Sequence, residues 1–130
     1  MRVVIVGGGI AATYLANNLK KLDASVDVVV VSDEKYAPYD RIHLCRLIDN
    51  SEDVKSISLT IDPTVRVELN QKIISIDREK KRVLSENSMF SYDKLIIATG
   101  STPSPSLTLT VLVMHLYLDL LMIVIALKMV

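Results

Sequence analysis

The sequence predicts an α/β fold that combines a βαβ unit of a parallel sheet with a small antiparallel meander. Three observations carry this prediction. Two uninterrupted β-branched runs lie near the N-terminus, a glycine turn and an amphipathic segment separate them, and short alternating apolar pieces follow further along. With 130 residues, 50% of them apolar and 23% charged, the chain is long enough to bury the core of one ordinary domain.

The first three elements form the βαβ unit. A strand is expected over 3–6, because β-branched residues run without a break up to three consecutive glycines. A helix is expected over Ile10–Leu22, where apolar residues recur at helical spacing and two lysines stand in the last turn, which the helix dipole favours. The apolar run over 26–31 is typical of a strand that is covered on both faces.

The polar stretch over 32–40 contains Pro38 and predicts a loop at the carboxyl end of the second strand. Ligands of open α/β sheets bind at this edge. A short helix is expected over 41–48. A further parallel strand is expected over Leu95–Ala98, an apolar run that a glycine and two prolines follow.

The antiparallel meander is predicted from alternation of apolar and polar residues. The alternating pieces lie at 65–69, 73–76 and 83–84, with a charged turn at 77–81. Alternation of this kind is typical of strands that bury one face.

A glycine motif lies directly between the predicted first strand and the helix. It fits the pattern G-x-G-x-x-G/A, with the residues Gly7, Gly8, Gly9, Ile10, Ala11 and Ala12. Gly7 permits the tight turn, Gly9 lets a pyrophosphate approach the helix N-terminus, and Ala12 lets helix and strand pack closely. We interpret the unit as a Rossmann-like dinucleotide-binding unit, in preference to a glycine turn without a ligand, because strand, helix and second strand are all in register.

Two acids follow the second strand, Asp33 and Glu34, about twenty residues beyond the glycine motif. A carboxylate at this place accepts hydrogen bonds from an adenosine ribose and disfavours a 2′-phosphate. The alternative is a solvated acidic loop. Which of the two acids bonds the ribose stays open.

The segment from Pro38 to Arg46 resembles the Pro-Tyr-x-Arg-x-x-Leu-Ser-Lys segment of the FAD-dependent pyridine nucleotide-disulfide oxidoreductases of the rubredoxin reductase, ferredoxin reductase and nitrite reductase type. The resemblance implies that Arg41 and Arg46 approach the flavin dinucleotide, where cations offset pyrophosphate charge. Two surface arginines are the alternative. Cys45 stands where the family has serine, and we interpret it as a small residue in preference to a redox centre.

The segment 92–103 resembles the Tyr-Asp-x-Leu-x-x-Ala-Thr-Gly signature of the same flavoproteins. In the family this strand ends beside FAD, which implies that Ala98, Thr99 and Gly100 lie near the cofactor. By the same resemblance, Ile73 contacts the adenine through its backbone. The resemblance extends over residues 1–105 and implies the first part of an FAD domain, here truncated.

The resemblance also implies an activity. The complete protein would pass electrons from NAD(P)H through FAD to an acceptor protein or centre such as rubredoxin, ferredoxin or nitrite reductase. The flavin carries the redox chemistry, so we expect no catalytic side chain in this chain. A nucleotide-binding fragment without turnover and a membrane-tethered remnant are the alternatives.

Charge and cysteine content exclude several other classes. Acidic and basic residues balance at 15 each, so no overall field attracts nucleic acid or an anionic membrane. Cys45 is the single cysteine, which excludes an internal disulfide framework and favours a cytoplasmic setting without a metal site. No signal peptide is expected at the N-terminus.

Residues 106–130 form an apolar tail in which 107–127 reaches the length of a membrane span. A transmembrane anchor is disfavoured by His115 and Asp119 within that stretch. We favour a frameshifted or misassembled gene end, because the codons of Met122-Ile123 can encode Asp-Asp in the adjoining frame, a pair that the resembled family has near this point. A genuine tail that packs in the place of a further domain is the third explanation.

Overall fold

The computed structural model describes residues 1–48, 53 and 55–101. The described residues divide into two units, one formed by Met1–Tyr39 with Ser58–Gly100 and the other by the described part of 40–57 with Ser101. Residues 106–130, for which the sequence leaves three explanations, lie outside the described residues.

The described residues form seven strands, two α-helices and one 3₁₀ helix. In chain order they are β1 (Arg2–Val6), α1 (Ile10–Leu22), β2 (Asp27–Val31), the 3₁₀ helix (Arg41–His43), α2 (Leu44–Ile48), β3 (Arg66–Glu68), β4 (Ile73–Asp77), β5 (Arg82–Ser85), β6 (Met89–Ser91) and β7 (Lys94–Ile97).

The first unit is built around a parallel sheet with the strand order β3-β2-β1-β7. Val4 of the inner strand β1 lies opposite Val29 of β2 on one side and Leu95 of β7 on the other. The βαβ unit is therefore formed as predicted, and α1 spans the residues that the apolar periodicity indicated. The strand predicted near residues 95–98 joins the sheet in parallel, also as predicted.

Side chains of β1 and β2 alternate between two apolar cores. On one face of the sheet, Val3, Ile5, Val28 and Val30 pack against Ala12 and Ala16 of α1 and are buried. The alanines let the helix approach the sheet closely, which the small residues in the sequence indicated.

The opposite face of the sheet is covered by a three-stranded antiparallel sheet of order β4-β5-β6, here called the meander. Its fully buried Val83 packs against the alternate residues of the parallel strands, which are Val4, Val6, Val29 and Val31. The continuous β-branched runs of β1 and β2 suit this arrangement, because both faces of each strand are buried.

One sequence-based prediction about the meander is wrong. The stretch 65–69, expected to belong to it, instead supplies β3, which pairs in parallel with β2 and places Val67 opposite Val30. Alternation indicates that one face of a strand is buried, but it does not indicate which strand is the neighbour. Here Val65 and Val67 pack in the core between α1 and the parallel sheet, which places β3 next to β2. The third strand of the meander is β6, for which the sequence analysis made no prediction.

The described part of the second unit confirms the short helix expected over 41–48. It begins as a 3₁₀ turn that Asp40 caps by accepting a hydrogen bond from the amide of Ile42 at 3.0 Å, and it continues as α2. The Asp40 carboxylate also lies 3.1 Å from Nδ1 of His43.

Two further features concern the described ranges alone. None of their helices combines the length and the apolar character that a membrane crossing requires. Their His, Cys, Asp and Glu residues do not gather into a group of three or more that would hold a metal ion.

Candidate functional site

The glycine turn lies at the carboxyl edge of the parallel sheet, between the ends of β2 and β7. The amide of Gly7 donates to the carbonyl of Val31 at 2.8 Å, and the amide of Ala98 donates to the carbonyl of Val6 at 2.7 Å. Gly7 has φ +122°, and a Cβ there would collide with the carbonyl oxygen of Ala98 and lie 2.6 Å from its carbon. The first position therefore accepts only glycine.

The next two glycines have different surroundings. A Cβ on Gly8 would lie 2.5 Å from Oγ of Ser32, so this glycine is packed against the start of the acidic loop. A Cβ on Gly9 would meet no atom within 4 Å, and its φ of −84° is ordinary. Among the three glycines of the turn, Gly9 is therefore the one with open space where a side chain would project.

The N-terminus of α1 is arranged to receive an anion. Gly9 is the N-cap and provides no side-chain cap, and the first turn contains no acidic residue. The first intrahelical bond runs from the amide of Thr13 to the carbonyl of Gly9 at 3.1 Å, which leaves the amides of residues 10–12 without an intrahelical acceptor. Free amides and the positive end of the helix dipole favour negative charge here.

Residues 32–34, here called the acidic loop, follow β2. The loop begins at Ser32, which is 2% exposed. Oγ of Ser32 accepts a hydrogen bond from the amide of Glu34 at 3.3 Å. Asp33 is exposed and Glu34 is partly buried. Because Ser32 contacts Gly8, the structure brings the two acids and the glycine turn to one edge of the sheet, as the sequence predicted for a parallel fold.

A second loop, residues 69–72, is hydrogen-bonded to the acidic loop. The amide of Asn70 donates to the carbonyl of Glu34 at 3.0 Å, and the amide of Gln71 donates to the carbonyl of Ser32 at 2.8 Å. Asn70 has φ +55°, a left-handed conformation that asparagine tolerates better than most residues. The 69–72 loop therefore restrains the backbone of the acidic loop at both Ser32 and Glu34.

Tyr39 completes this edge within the first unit. Its side chain is buried, its backbone forms an isolated antiparallel bridge with Ser58, and burial raises the pKa of its phenol, with further contributions from Asp33 and Tyr36. The phenol therefore stays neutral near neutral pH.

Two other predicted positions lie in the same unit. Ala98 borders Gly7, while Thr99 and Gly100 follow it as exposed residues, and Gly100 has φ +71°. Ile73 starts β4, is partly buried against the meander core, and lies two residues beyond Gln71. The pairing of β4 with β5 shifts register between Ile73 and Ser75, as expected of a bulge in β4.

Arg41 and Arg46 belong to the second unit. Both side chains are exposed, Arg41 in the 3₁₀ helix and Arg46 in α2. Their assignment to the flavin dinucleotide stays a prediction. The side chain of Cys45 lies outside the described part, so its interpretation also stays a prediction.

Sequence analysis missed three residues that shape this edge, Ser32, Asn70 and Gln71. For Asn70 a signal existed, because asparagine is enriched at left-handed positions. For Ser32 the signal was weaker: serine before two acids favours a local hydrogen bond to a backbone amide two residues on. Nothing in the sequence marked Gln71, whose contribution is a backbone bond.

These residues fit a dinucleotide. The open space beside Gly9 and the unpaired helix amides suit a pyrophosphate, and the absence of an acid in the first turn of α1 removes a source of repulsion. Asp33 and Glu34 stand one loop away, where a ribose hydroxyl would need an acceptor. No part of the fit depends on a side chain acting as acid, base or nucleophile.

Comparison with known proteins agrees with this geometry. The family model described as pyridine nucleotide-disulphide oxidoreductase matches residues 1–111. The chain belongs to this family. Members of the family and the structural neighbours are FAD- and NAD(P)H-dependent oxidoreductases of the Rossmann type.

The relatives include a ferredoxin reductase and a rubredoxin oxidoreductase. A probable ferredoxin reductase of Castellaniella defragrans is 35% identical over 109 residues, which cover 78% of this chain and 27% of that protein. The NADH:rubredoxin oxidoreductase of Clostridium acetobutylicum is similar with a TM-score of 0.68 and 25% identity, over 81% of this chain and 29% of that one.

The putidaredoxin reductase of a covalent complex with putidaredoxin has the same fold, with a TM-score of 0.75 and 24% identity over 82% of this chain and 27% of that one. The chain thus spans between 27% and 29% of the length of these three relatives.

Proposed function

We propose that this chain binds FAD and forms the N-terminal FAD-binding portion of an NAD(P)H-dependent flavoprotein oxidoreductase. The observation that carries the proposal is the open glycine turn at the N-terminus of α1, which packs against the loop that holds Asp33 and Glu34. The family membership supports FAD as the dinucleotide.

Each part of this edge has a separate role in the proposal. Gly9 and the amides of residues 10–12 bind the pyrophosphate, and Asp33 or Glu34 accepts hydrogen bonds from the adenosine ribose. Ile73 contributes its backbone to the adenine, and residues 98–100 line the space toward the flavin. Arg41 and Arg46 are included as predicted cations for the pyrophosphate.

FAD supplies the electron-transfer chemistry when bound, and this chain supplies binding and orientation. The acceptor belongs to the proposal as well: a small electron-transfer protein of the ferredoxin or rubredoxin kind, or a nitrite reductase centre. The similarity to a probable ferredoxin reductase and to an NADH:rubredoxin oxidoreductase supports the first two. A cytoplasmic location is part of the same proposal, and its support is the single cysteine in the sequence.

The proposed domain organisation assigns residues 1–105 to the FAD domain and 106–130 to a separate apolar tail. Its support is the change of composition after Pro105, where apolar residues follow one another almost without charged residues.

A second candidate function is nucleotide binding without turnover. The observation in its favour is that the 130 residues contain a single G-x-G-x-x-G/A motif between a strand and a helix, whereas hydride transfer requires a nicotinamide nucleotide as well as the flavin.

Titration of the purified chain with FAD tests the primary proposal. We expect quenching of flavin fluorescence and a shift of its visible absorption bands, with saturation at one FAD per chain. Asp33→Asn and Glu34→Gln each remove a charged acceptor, and the one that bonds the ribose should weaken FAD binding by about tenfold or more.

Glu79→Gln is the matched control, because Glu79 is an exposed acid in the turn between β4 and β5. It should leave FAD affinity unchanged. Absence of FAD binding by the unmodified, folded chain would refute the proposal, and equal effects of all three substitutions would refute the assigned role of the acidic loop.

A further inference from the structure

Ser32 lies where the glycine turn, the acidic loop and the 69–72 loop meet. It follows the last residue of β2 and is 2% exposed, which is unusual for a serine outside a strand or helix. Three hydrogen bonds use its backbone and its hydroxyl, and each leads to a different segment of the chain.

We propose that Ser32 is a positioning residue for the adenosine half of FAD, which it serves by holding the acidic loop against the glycine turn. The inference rests on the proposed function, because it concerns how the same edge of the sheet recognises the dinucleotide.

The backbone of Ser32 anchors the loop to the sheet. Its amide donates to the carbonyl of Glu68 at 2.9 Å, which continues the pairing of β2 with β3 by one residue. Its carbonyl accepts from the amide of Gln71 at 2.8 Å. These two bonds are independent of the side chain, so a substitution at Ser32 leaves them in place.

The hydroxyl of Ser32 makes the contacts that depend on serine. Oγ accepts a hydrogen bond from the amide of Glu34 at 3.3 Å. This bond closes a turn in which Asp33, between Ser32 and Glu34, is exposed. The same oxygen faces Gly8 so closely that a Cβ on Gly8 would lie 2.5 Å from it. One small hydroxyl thus defines both the direction of the acidic loop and its distance from the glycine turn.

Size and polarity together favour serine at this position. Because Gly8 leaves no room for a Cβ of its own beside Ser32, a longer side chain at position 32 would push against the turn. Alanine would fit this space but would withdraw the acceptor from the amide of Glu34. The acidic loop would then keep its backbone bonds but lose the hydrogen bond that sets the position of Glu34, and the acids would be less preorganised toward the ribose.

The test is the affinity of Ser32→Ala for FAD and for ADP, measured by fluorescence quenching and by calorimetry. Loss of one neutral hydrogen bond that orients a binding group should weaken both ligands by the same factor, about three- to tenfold. The affinities for FAD and ADP should fall by equal factors, because ADP contains the adenosine and the pyrophosphate that the acidic loop and the glycine turn are proposed to bind.

Ser91→Ala is the matched control. Ser91 also accepts one hydrogen bond of 3.3 Å through its hydroxyl, but from Arg2 at the start of β1, at the opposite edge of the sheet. It should leave both affinities unchanged. If circular dichroism shows that Ser32→Ala is unfolded, Ser32→Gly, which also lacks the hydroxyl, takes its place.

A positioning role further requires that Ser32 acts through the acids. In the Asp33→Asn/Glu34→Gln background, Ser32→Ala should have no additional effect on FAD affinity. The proposal is overturned if Ser32→Ala binds FAD and ADP like the unmodified chain, if Ser91→Ala weakens them equally, or if the effect of Ser32→Ala persists in the double variant. Absence of FAD binding by the unmodified chain would instead refute the proposed function.

Discussion

Three consecutive glycines in the turn after β1 meet three different requirements. Gly7 needs a positive φ and has no room for a side chain, Gly8 lacks room because of Ser32, and Gly9 has both an ordinary φ and free space. Stability and ligand binding are therefore separable within one motif, since only the third glycine is adjacent to open space.

Gly7→Ala should destabilise the fold. The new methyl group would collide with the carbonyl of Ala98, and alanine is strained at φ +122°. We expect the free energy of unfolding to fall by about 3 kcal/mol, measured by urea denaturation. An unchanged urea midpoint would contradict the close approach of β7 to the turn.

Gly9→Ala should affect binding instead. Its φ of −84° suits alanine and no atom lies within 4 Å of the new methyl group, so the free energy of unfolding should change by less than about 1 kcal/mol. In the proposed binding mode the methyl group would occupy the space of the pyrophosphate, so FAD affinity should fall by about tenfold or more. The measurement is the FAD titration, with urea denaturation of the same variant as the control for folding.

At the scale of elements, the parallel sheet is enclosed by α1 on one face and by the meander on the other. Val83 belongs to β5 but is fully buried among valines of β1 and β2, so it connects the two sheets. Its neighbour Leu84 lies on the other face of the meander and is only partly buried. The alternation of β5 thus places one apolar side chain in the core and the next outside it.

Val83→Ala should lower the free energy of unfolding by about 2 kcal/mol, through lost apolar burial and the cavity that remains. Leu84→Ala removes a larger side chain but should cost less than about 1 kcal/mol, because its site is partly exposed. Equal destabilisation of the two variants, measured by urea denaturation, would contradict the docking of the meander through Val83.

The N-terminal edge of the parallel sheet carries an ion pair between Nε of Arg2 in β1 and Oδ2 of Asp27 in β2, at 2.6 Å. The hydrogen bond from Arg2 lowers the pKa of Asp27 below its ordinary value of 3.8, against the opposing effect of desolvation. The two side chains are 41% and 46% exposed, so solvent screens the pair.

Asp27→Asn should therefore cost less than about 1 kcal/mol at neutral pH. Because the pKa of Asp27 is lowered on folding, its contribution is fully present above pH 3.8 and is lost as the pH falls through the lower value of the folded chain. Urea denaturation of the unmodified and variant chains between pH 7 and pH 3 should show the difference shrinking only at the acidic end. A difference that is constant over this range would contradict the pair.

At the scale of the molecule, the described residues divide into a unit that contains the glycine turn and the acidic loop and a unit that contains Arg41 and Arg46. The chain spans between 27% and 29% of the three relatives described above. FAD binding by this chain can therefore be tested separately from electron transfer.

Anaerobic addition of NADH to the FAD-loaded chain addresses that question. We expect the visible flavin absorption to persist, because the sequence has a single glycine motif of the dinucleotide type. Dithionite, which reduces flavins without a nucleotide site, is the positive control and should bleach the same sample. Rapid bleaching by NADH alone would show that nicotinamide access does not require a second motif.

The local features of the fold could be predicted from the residues alone. The βαβ unit, the bounds of α1, the short helix after Asp40 and the glycine motif all follow from residues close together in the chain, because helical periodicity, strand composition and turn chemistry are local properties. The family resemblance rested on the same kind of evidence and is confirmed.

Which distant segments of the chain contact one another became known from the folded structure. In the folded chain β3 lies beside β2 in the parallel sheet. The amide of Asn70 donates to the carbonyl of Glu34, and Ser32 packs against Gly8. Alternation shows that a strand has a buried face, and a serine shows that a hydroxyl is present, but neither identifies the partner. Partners are chosen by the common core that all strands must bury, and that choice depends on the whole chain.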